Sequence, residues 1–225
     1  MYNICCFRHN NASPDIGNKL AKQQINFFDY KIANIHYNSS LDFKYLESFS
    51  KIILTSRNTI REEDLENWQK LNLKIEFIII GKNFSSYLKE NNIKNIQIFN
   101  SVKDVAAIIN ATDSYLYIRG ENISYDLAFS YPHIKEILFY RLEFNNINKS
   151  DILNFFLKNN INQILFLSIE TAKFITEKIS KTELQKFEII CLSNRIAKYF
   201  ADFHDNILYP KEPEVDLLTN LILKK

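Results

Sequence analysis

The sequence predicts an α/β protein with parallel sheets covered by helices on both faces, built twice over. Two observations predict it. Short β-branched or apolar runs alternate with helical patterns from end to end, the signature of a parallel sheet with crossover helices. Segments also recur at a near-constant offset: Ile52-Ile53-Leu54-Thr55-Ser56 returns as Ile164-Leu165-Phe166-Leu167-Ser168, and Phe77-Ile78-Ile79-Ile80-Gly81 returns as Ile189-Ile190-Cys191-Leu192-Ser193, both 112 positions later. Thr59 and Thr171, Ser85 and Ala197, Tyr87 and Tyr199, and Asp104 and Asp216 keep that spacing, while Ile4-Cys5-Cys6-Phe7-Arg8 returns as Tyr115-Leu116-Tyr117-Ile118-Arg119 at 111. A gap-free offset through two strand–helix units marks two copies of one unit.

Taken in order, the apolar runs with polar ends predict strands over 3–8, 32–37, 52–55, 76–80, 96–99, 115–119, 136–142, 163–167, 188–192 and 206–209. Between them, Ile60, Leu65, Trp68 and Leu71 predict a helix over 59–72, and Ala172, Ile175 and Ile179 one over 170–179. A last helix begins near Pro213-Glu214, buries Val215, Leu218 and Ile222, and ends on Lys224-Lys225, its acidic start and basic end suiting the macrodipole. A short unit (1–37 and 115–140) alternates with a longer one (41–110 and 146–222). Together they supply five strands per sheet, a flavodoxin-like count. Periodicity leaves open which short unit packs with which long one.

Composition bounds the partners. A chain of 225 residues, 46% hydrophobic and 24% charged, is that of a soluble globular protein. A net charge of +2 gives no global pull toward nucleic acid or membrane, so any anion site is local. No apolar run approaches the roughly 20 residues of a membrane span, and the N-terminal Asn3–Phe7 run lacks the flank and length of a signal peptide. Cys5, Cys6 and Cys191 sit in apolar strands without metal or redox spacing, so buried reduced thiols and a cytoplasmic location are expected.

Polar residues gather at the expected carboxyl ends of strands: Arg8, Thr55-Ser56-Arg57-Asn58, Gly81-Lys82-Asn83, Arg119-Gly120, Ser168 and Ser193-Asn194-Arg195. In open α/β sheets that edge binds ligands, and helix N-termini there present N–H groups to anions. The alternative for Ser56, Ser168 and Ser193 is helix capping alone. As a set containing Arg8, Arg57, Lys82, Arg119 and Arg195, they point to an anionic ligand. Gly81-Lys82 is no phosphate loop, no Gly-x-Ser-x-Gly elbow is present, and His9, His36, His133 and His204 lack ligand spacing. The many aromatics lie in apolar stripes, which suits packing better than base stacking.

With these residues in hand, the chain resembles the uroporphyrinogen-III synthase family along nearly its whole length. The resemblance is carried by Ile53-Leu54-Thr55-Ser56-Arg57-Asn58-Thr59-Ile60, Ile80-Gly81 with Ser85, Ile118-Arg119-Gly120-Glu121, Leu138-Phe139-Tyr140-Arg141, Phe166-Leu167-Ser168 and Tyr209-Pro210. It implies two flavodoxin-like domains joined by a two-stranded linker: residues 1–35 with 146–225, residues 41–138, and linker strands 36–40 and 139–145. It also implies a substrate, hydroxymethylbilane, a linear tetrapyrrole with eight carboxylates that lies in the cleft between the domains. The family closes it to uroporphyrinogen III with inversion of the last pyrrole and loss of water, without metal or organic cofactor, as a monomer. Arg8, Thr55, Ser56, Arg57, Gly81, Lys82, Asn83, Ser85, Arg119, Gly120, Ser168, Ser193, Asn194 and Arg195 would then bind substrate, and Tyr140 would assist departure of the hydroxyl. The chain departs from the family pattern at Asn83-Phe84, His9, Ser193 and Ser124-Tyr125. Those departures keep two other readings open, a non-catalytic small-anion binding protein and a degenerate paralogue.

Overall fold

The computed structural model describes residues 2–9, 15–123 and 125–224, with only the backbone of Asp15; Ser124 and Lys225, named above, lie outside the described residues. Among the described residues ten strands form: β1 (Asn3–His9), β2 (Asn26–Tyr37), β3 (Lys51–Leu54), β4 (Glu76–Ile80), β5 (Ile96–Phe99), β6 (Tyr115–Gly120), β7 (Lys135–Phe144), β8 (Gln163–Phe166), β9 (Glu188–Cys191) and β10 (Ile207–Leu208). Each overlaps a run expected from the sequence. The second is longer than its apolar signal, because Asn26–Lys31 mixes Asn, Asp and Lys with aromatics and still pairs along its length with β1.

The chain divides into two compact units, one of Met1–Asn34 with Phe144–Lys225 and one of Ile35–Glu143. In the first the strand order is β10-β9-β8-β1-β2, and in the second β7-β6-β3-β4-β5; β2 and β7 each have residues in both units. The ladders β1–β2, β1–β8, β8–β9 and β9–β10 are parallel, as are β6–β7, β3–β6, β3–β4 and β4–β5.

The duplication is visible in register. Lys51 pairs with Glu76 and Tyr115 in the second unit; Gln163 pairs with Glu188 and Ile4 in the first. Even the side chains correspond, since the Lys51–Glu76 ion pair (3.3 Å) becomes a Gln163–Glu188 hydrogen bond.

The central strands of each unit are buried on both faces, which is why they read as continuous apolar runs. In the first unit Cys5, Phe7, Phe166 and Cys191 pack against Ile152, Phe156, Ile175 and Phe200, while Ile4, Cys6, Leu165 and Ile190 pack against Leu20, Leu218 and Ile222. In the second, Ile52, Leu54, Phe77 and Ile118 meet Trp68, Leu71 and Leu88, and Ile53, Ile78, Tyr115 and Tyr117 meet Val105 and Leu127. All three cysteines are free and buried, and burial pushes the Cys191 thiol up to about 12. No helix among the described residues is long and apolar enough to cross a membrane.

One helix differs from expectation. Residues 59–72 begin as two 3₁₀ turns, Arg57–Thr59 and Glu62–Asp64, and become α-helical only over Leu65–Asn72. The Ser56 side chain caps the first turn, and Arg61 ties to Asp64 with Nε–Oδ2 at 2.6 Å. These local bonds compete with an α-helical start.

Candidate functional site

In a parallel sheet every strand ends at the same edge, so the polar residues following β3, β4 and β6 share one edge of the second unit. Thr55 bonds through its side chain to the phenol of Tyr117, which is almost fully buried; burial raises that phenol's pKa and the Thr55 bond partly opposes it. Ser56 Oγ accepts the Asn58 N–H at 3.2 Å, so it acts as a cap, as the Ser/Asn pattern allows. The Arg57 guanidinium carbon lies 3.9 Å over the Tyr87 ring, with Nη2 4.0 Å from Glu62 Oε1. Tyr87 stands in the helix Lys82–Glu90, and the Arg57 side chain over its ring is 30% exposed. Held there, a guanidinium offers its planar fork to a carboxylate.

Gly81 opens that helix with φ +89° and ψ 141°, a conformation that L side chains rarely adopt. Its N–H donates to the Phe99 carbonyl at 2.9 Å, so Gly81 shapes the turn and its own N–H is spent on β5. Lys82 and Asn83 are exposed at the helix N-terminus, where the dipole favours an anion. Ser85 lies inside, 3% exposed.

Arg119 and Gly120 sit at a β-bulge. Arg119 pairs with Leu138, but Gly120 pairs with Tyr140, so Phe139 is skipped. Arg119 grips Glu136 with Nε–Oε2 at 2.9 Å and Nη2–Oε1 at 3.2 Å, and its Nη1 donates to the carbonyls of Gly120 (3.0 Å) and Glu121 (3.5 Å). Glu121 N–H closes the bulge on the Tyr140 carbonyl at 3.0 Å. The Tyr140 ring lies against Gly120: a Cβ there would meet Tyr140 Cζ at 2.6 Å and Oη at 2.9 Å. Gly120 is therefore a seat for Tyr140.

The first unit carries the same device. Arg8 pairs with Lys31, the ladder slips, and His9 pairs with Ala33. Arg8 Nη2 meets Asp29 Oδ2 at 2.8 Å, and Asp29 stands one strand over at the place Glu136 holds in the other unit. Burial outweighs Arg8 there and leaves the Asp29 carboxyl above its ordinary range. His9 is held below its ordinary pKa by burial first and by Arg8 second, and its Nδ1 has no hydrogen-bond partner among the described residues.

Elsewhere on this unit Ser168 and Ser193 cap helices through Thr171 N–H (3.2 Å) and Ile196 N–H (3.4 Å), and Asn194 and Arg195 are exposed beside the second cap. Ser193 adopts φ −146°, so the glycine of the other copy is not required there.

Sequence reasoning named both arginines but missed their acidic partners Asp29 and Glu136, which lie in the neighbouring strand and only register brings near. Tyr87 was visible as a repeat of Tyr199, though not as a platform. Arg61 also escaped notice; its guanidinium lies 5.6 Å from the Tyr37 ring and 5.7 Å from the Phe139 ring. No group of three His, Cys, Asp or Glu side chains fit for a metal ion occurs among the described residues.

Comparison with known proteins adds three findings. A family model described as uroporphyrinogen-III synthase HemD matches residues 30–220. The uroporphyrinogen-III synthetase of Helicobacter pylori 26695 is similar in structure, with 17% identity over 100% of this chain and 99% of that one and a TM-score of 0.62. A mutant uroporphyrinogen III synthase of the extremely thermophilic bacterium Thermus thermophilus matches at 10% identity over 99% and 96% of the two chains, with a TM-score of 0.58. No curated protein matches by sequence.

Proposed function

Since the chain belongs to the uroporphyrinogen-III synthase family, cyclising lyases of tetrapyrrole biosynthesis, we propose how its own residues carry that reaction. The observation that carries the functional reading is the family match over residues 30–220. The substrate is hydroxymethylbilane. Its terminal C–O bond breaks as the pyrrole nitrogen supplies electrons, and the hydroxyl leaves with the bonding pair and a proton as water. The last pyrrole then attacks through its already substituted carbon to form a spiro intermediate; the bond from that carbon to its original methylene bridge breaks, and the freed methylene bonds to the unsubstituted α-carbon of the same pyrrole, closing the ring inverted. The closing carbon loses a proton, so the net loss is one water.

Little acid–base strength is needed for these steps, whereas geometry decides between the inverted and the spontaneous product. Arg57, held over the Tyr87 ring, holds a substrate carboxylate, and Lys82 and Asn83 at the start of their helix hold another. Tyr140 donates its phenol hydrogen to the leaving hydroxyl, and its seating on Gly120 supports that role. Ser168, Ser193, Asn194 and Arg195 bind further carboxylates on the first unit. The flavodoxin-like reading of each unit is supported by its strand order, in which a short-unit pair flanks three long-unit strands. Residues of β2 and β7 in both units support their role as linker strands.

The test supplies hydroxymethylbilane and separates type III from type I product by chromatography. The protein should form type III well above the spontaneous reaction, and Tyr140→Phe should slow that isomer with folding intact. Type I alone at the spontaneous rate would remove the enzymatic reading. An unchanged Tyr140→Phe rate would remove Tyr140.

A further inference from the structure

The Arg119–Glu136 pair does something different from what a strand-end arginine suggests. Each guanidinium nitrogen of Arg119 already has a protein acceptor: two lie on the Glu136 carboxylate and the third on the carbonyls of Gly120 and Glu121. Its side chain is 13% exposed, so a substrate carboxylate would have to displace Glu136 to reach it. What the pair does hold is the bulge, because the carbonyls it grips belong to the residue that seats Tyr140 and to the residue whose N–H bonds the Tyr140 carbonyl.

The other unit supplies an independent comparison. There the arginine, the acid one strand over and the slip in register all recur in Arg8, Asp29 and the His9–Ala33 pair. Only the sizes are exchanged. The large side chain, His9, stands on the arginine's strand and the small one, Ala33, opposite it; in the second unit Gly120 stands after the arginine and Tyr140 opposite it. The clamp is thus a common scaffold, and the second copy uses it to present a tyrosine.

We infer that Glu136, acting through Arg119 and the bulge at Gly120, is a positioning residue that sets the ring of Tyr140 for type III ring closure, and that Arg119 is not a substrate ligand. This rests on the reading of Tyr140 above. The pair is partly solvated, with Glu136 37% exposed, so its breakage changes local geometry more than global stability.

The test is steady-state kinetics on hydroxymethylbilane with isomer analysis for wild type, Glu136→Gln, Arg119→Met, Tyr140→Phe and Glu136→Gln combined with Tyr140→Phe. Circular dichroism melts establish that each is folded. In Glu136→Gln the type III kcat should fall about tenfold to a hundredfold, as displacement of a positioned group by about 1 Å does. KM should stay within about twofold, and the type I share should rise. On the Tyr140→Phe background the same change should add almost nothing, because both act on one ring. Glu136→Asp, which keeps the charge, should recover part of the lost kcat and is the control if Arg119→Met fails to fold. A raised KM with unchanged kcat in Glu136→Gln would overturn the inference and return Arg119 to the substrate. Full additivity with Tyr140→Phe would overturn it as well. A wild type that makes no type III above background would instead defeat the functional reading, a distinguishable failure.

Discussion

Replacing Gly120 with alanine places one methyl group 2.6 Å from Cζ, 2.8 Å from Cε2 and 2.9 Å from Oη of Tyr140. Ordinary carbon contacts begin at about 3.4 Å, so the ring has to retreat by about 1 Å. All three atoms belong to the far end of the tyrosine, which is half-buried and swings about its own χ angles. The substitution should therefore cost about 1 kcal/mol, the low end for overpacking, or about 2–4 °C in Tm for a chain of this length. The same 1 Å is expensive for chemistry, since misplacing a reacting group by that distance lowers rates by about a hundredfold. Type III formation from hydroxymethylbilane should fall by that order while the melt barely moves. A variant with wild-type rate and isomer ratio would refute the seat. A Tm lowered by more than about 10 °C would show a rigid contact of purely structural value.

Two further expectations concern the edges themselves. Gly81→Ala forces an L side chain to φ +89° and should cost about 1–3 kcal/mol although nothing lies within 4 Å of the new Cβ, read by urea unfolding; a neutral result would show that the turn relaxes at no cost. His9 has a depressed folded pKa, so the unfolded chain takes its proton first. Stability is then complete above the unfolded value of about 6.5 and is lost as pH falls through the lower folded value. Thermal melts between pH 7 and pH 5 should show that slope, and His9→Asn should flatten it; an equal slope in the variant would remove His9 as its source.

The strands were legible because a sheet buried on both faces demands continuous apolar runs, and the repeat supplied each run twice: Lys51–Leu54 and Gln163–Phe166, Glu76–Ile80 and Glu188–Cys191. The capping alternative for Ser56, Ser168 and Ser193 was equally legible, since capping is a local bond to an N–H two or three residues on. The 3₁₀ start at Arg57 was not, because apolar spacing carries no information about side chains that bond the backbone.

By itself the sequence determined the α/β class, the duplication, the buried thiols and the family resemblance, all of which depend on local periodicity or on residues read in order. Only tertiary structure decided what the strand-end arginines do. Arg8 and Arg119 look alike in sequence and face acids 21 and 17 residues away. Parallel neighbours are set by register across a crossover, so a single slipped residue decides which side chains oppose each other. At that slip the two copies parted, one keeping Ala33 opposite His9 and the other setting Tyr140 against Gly120.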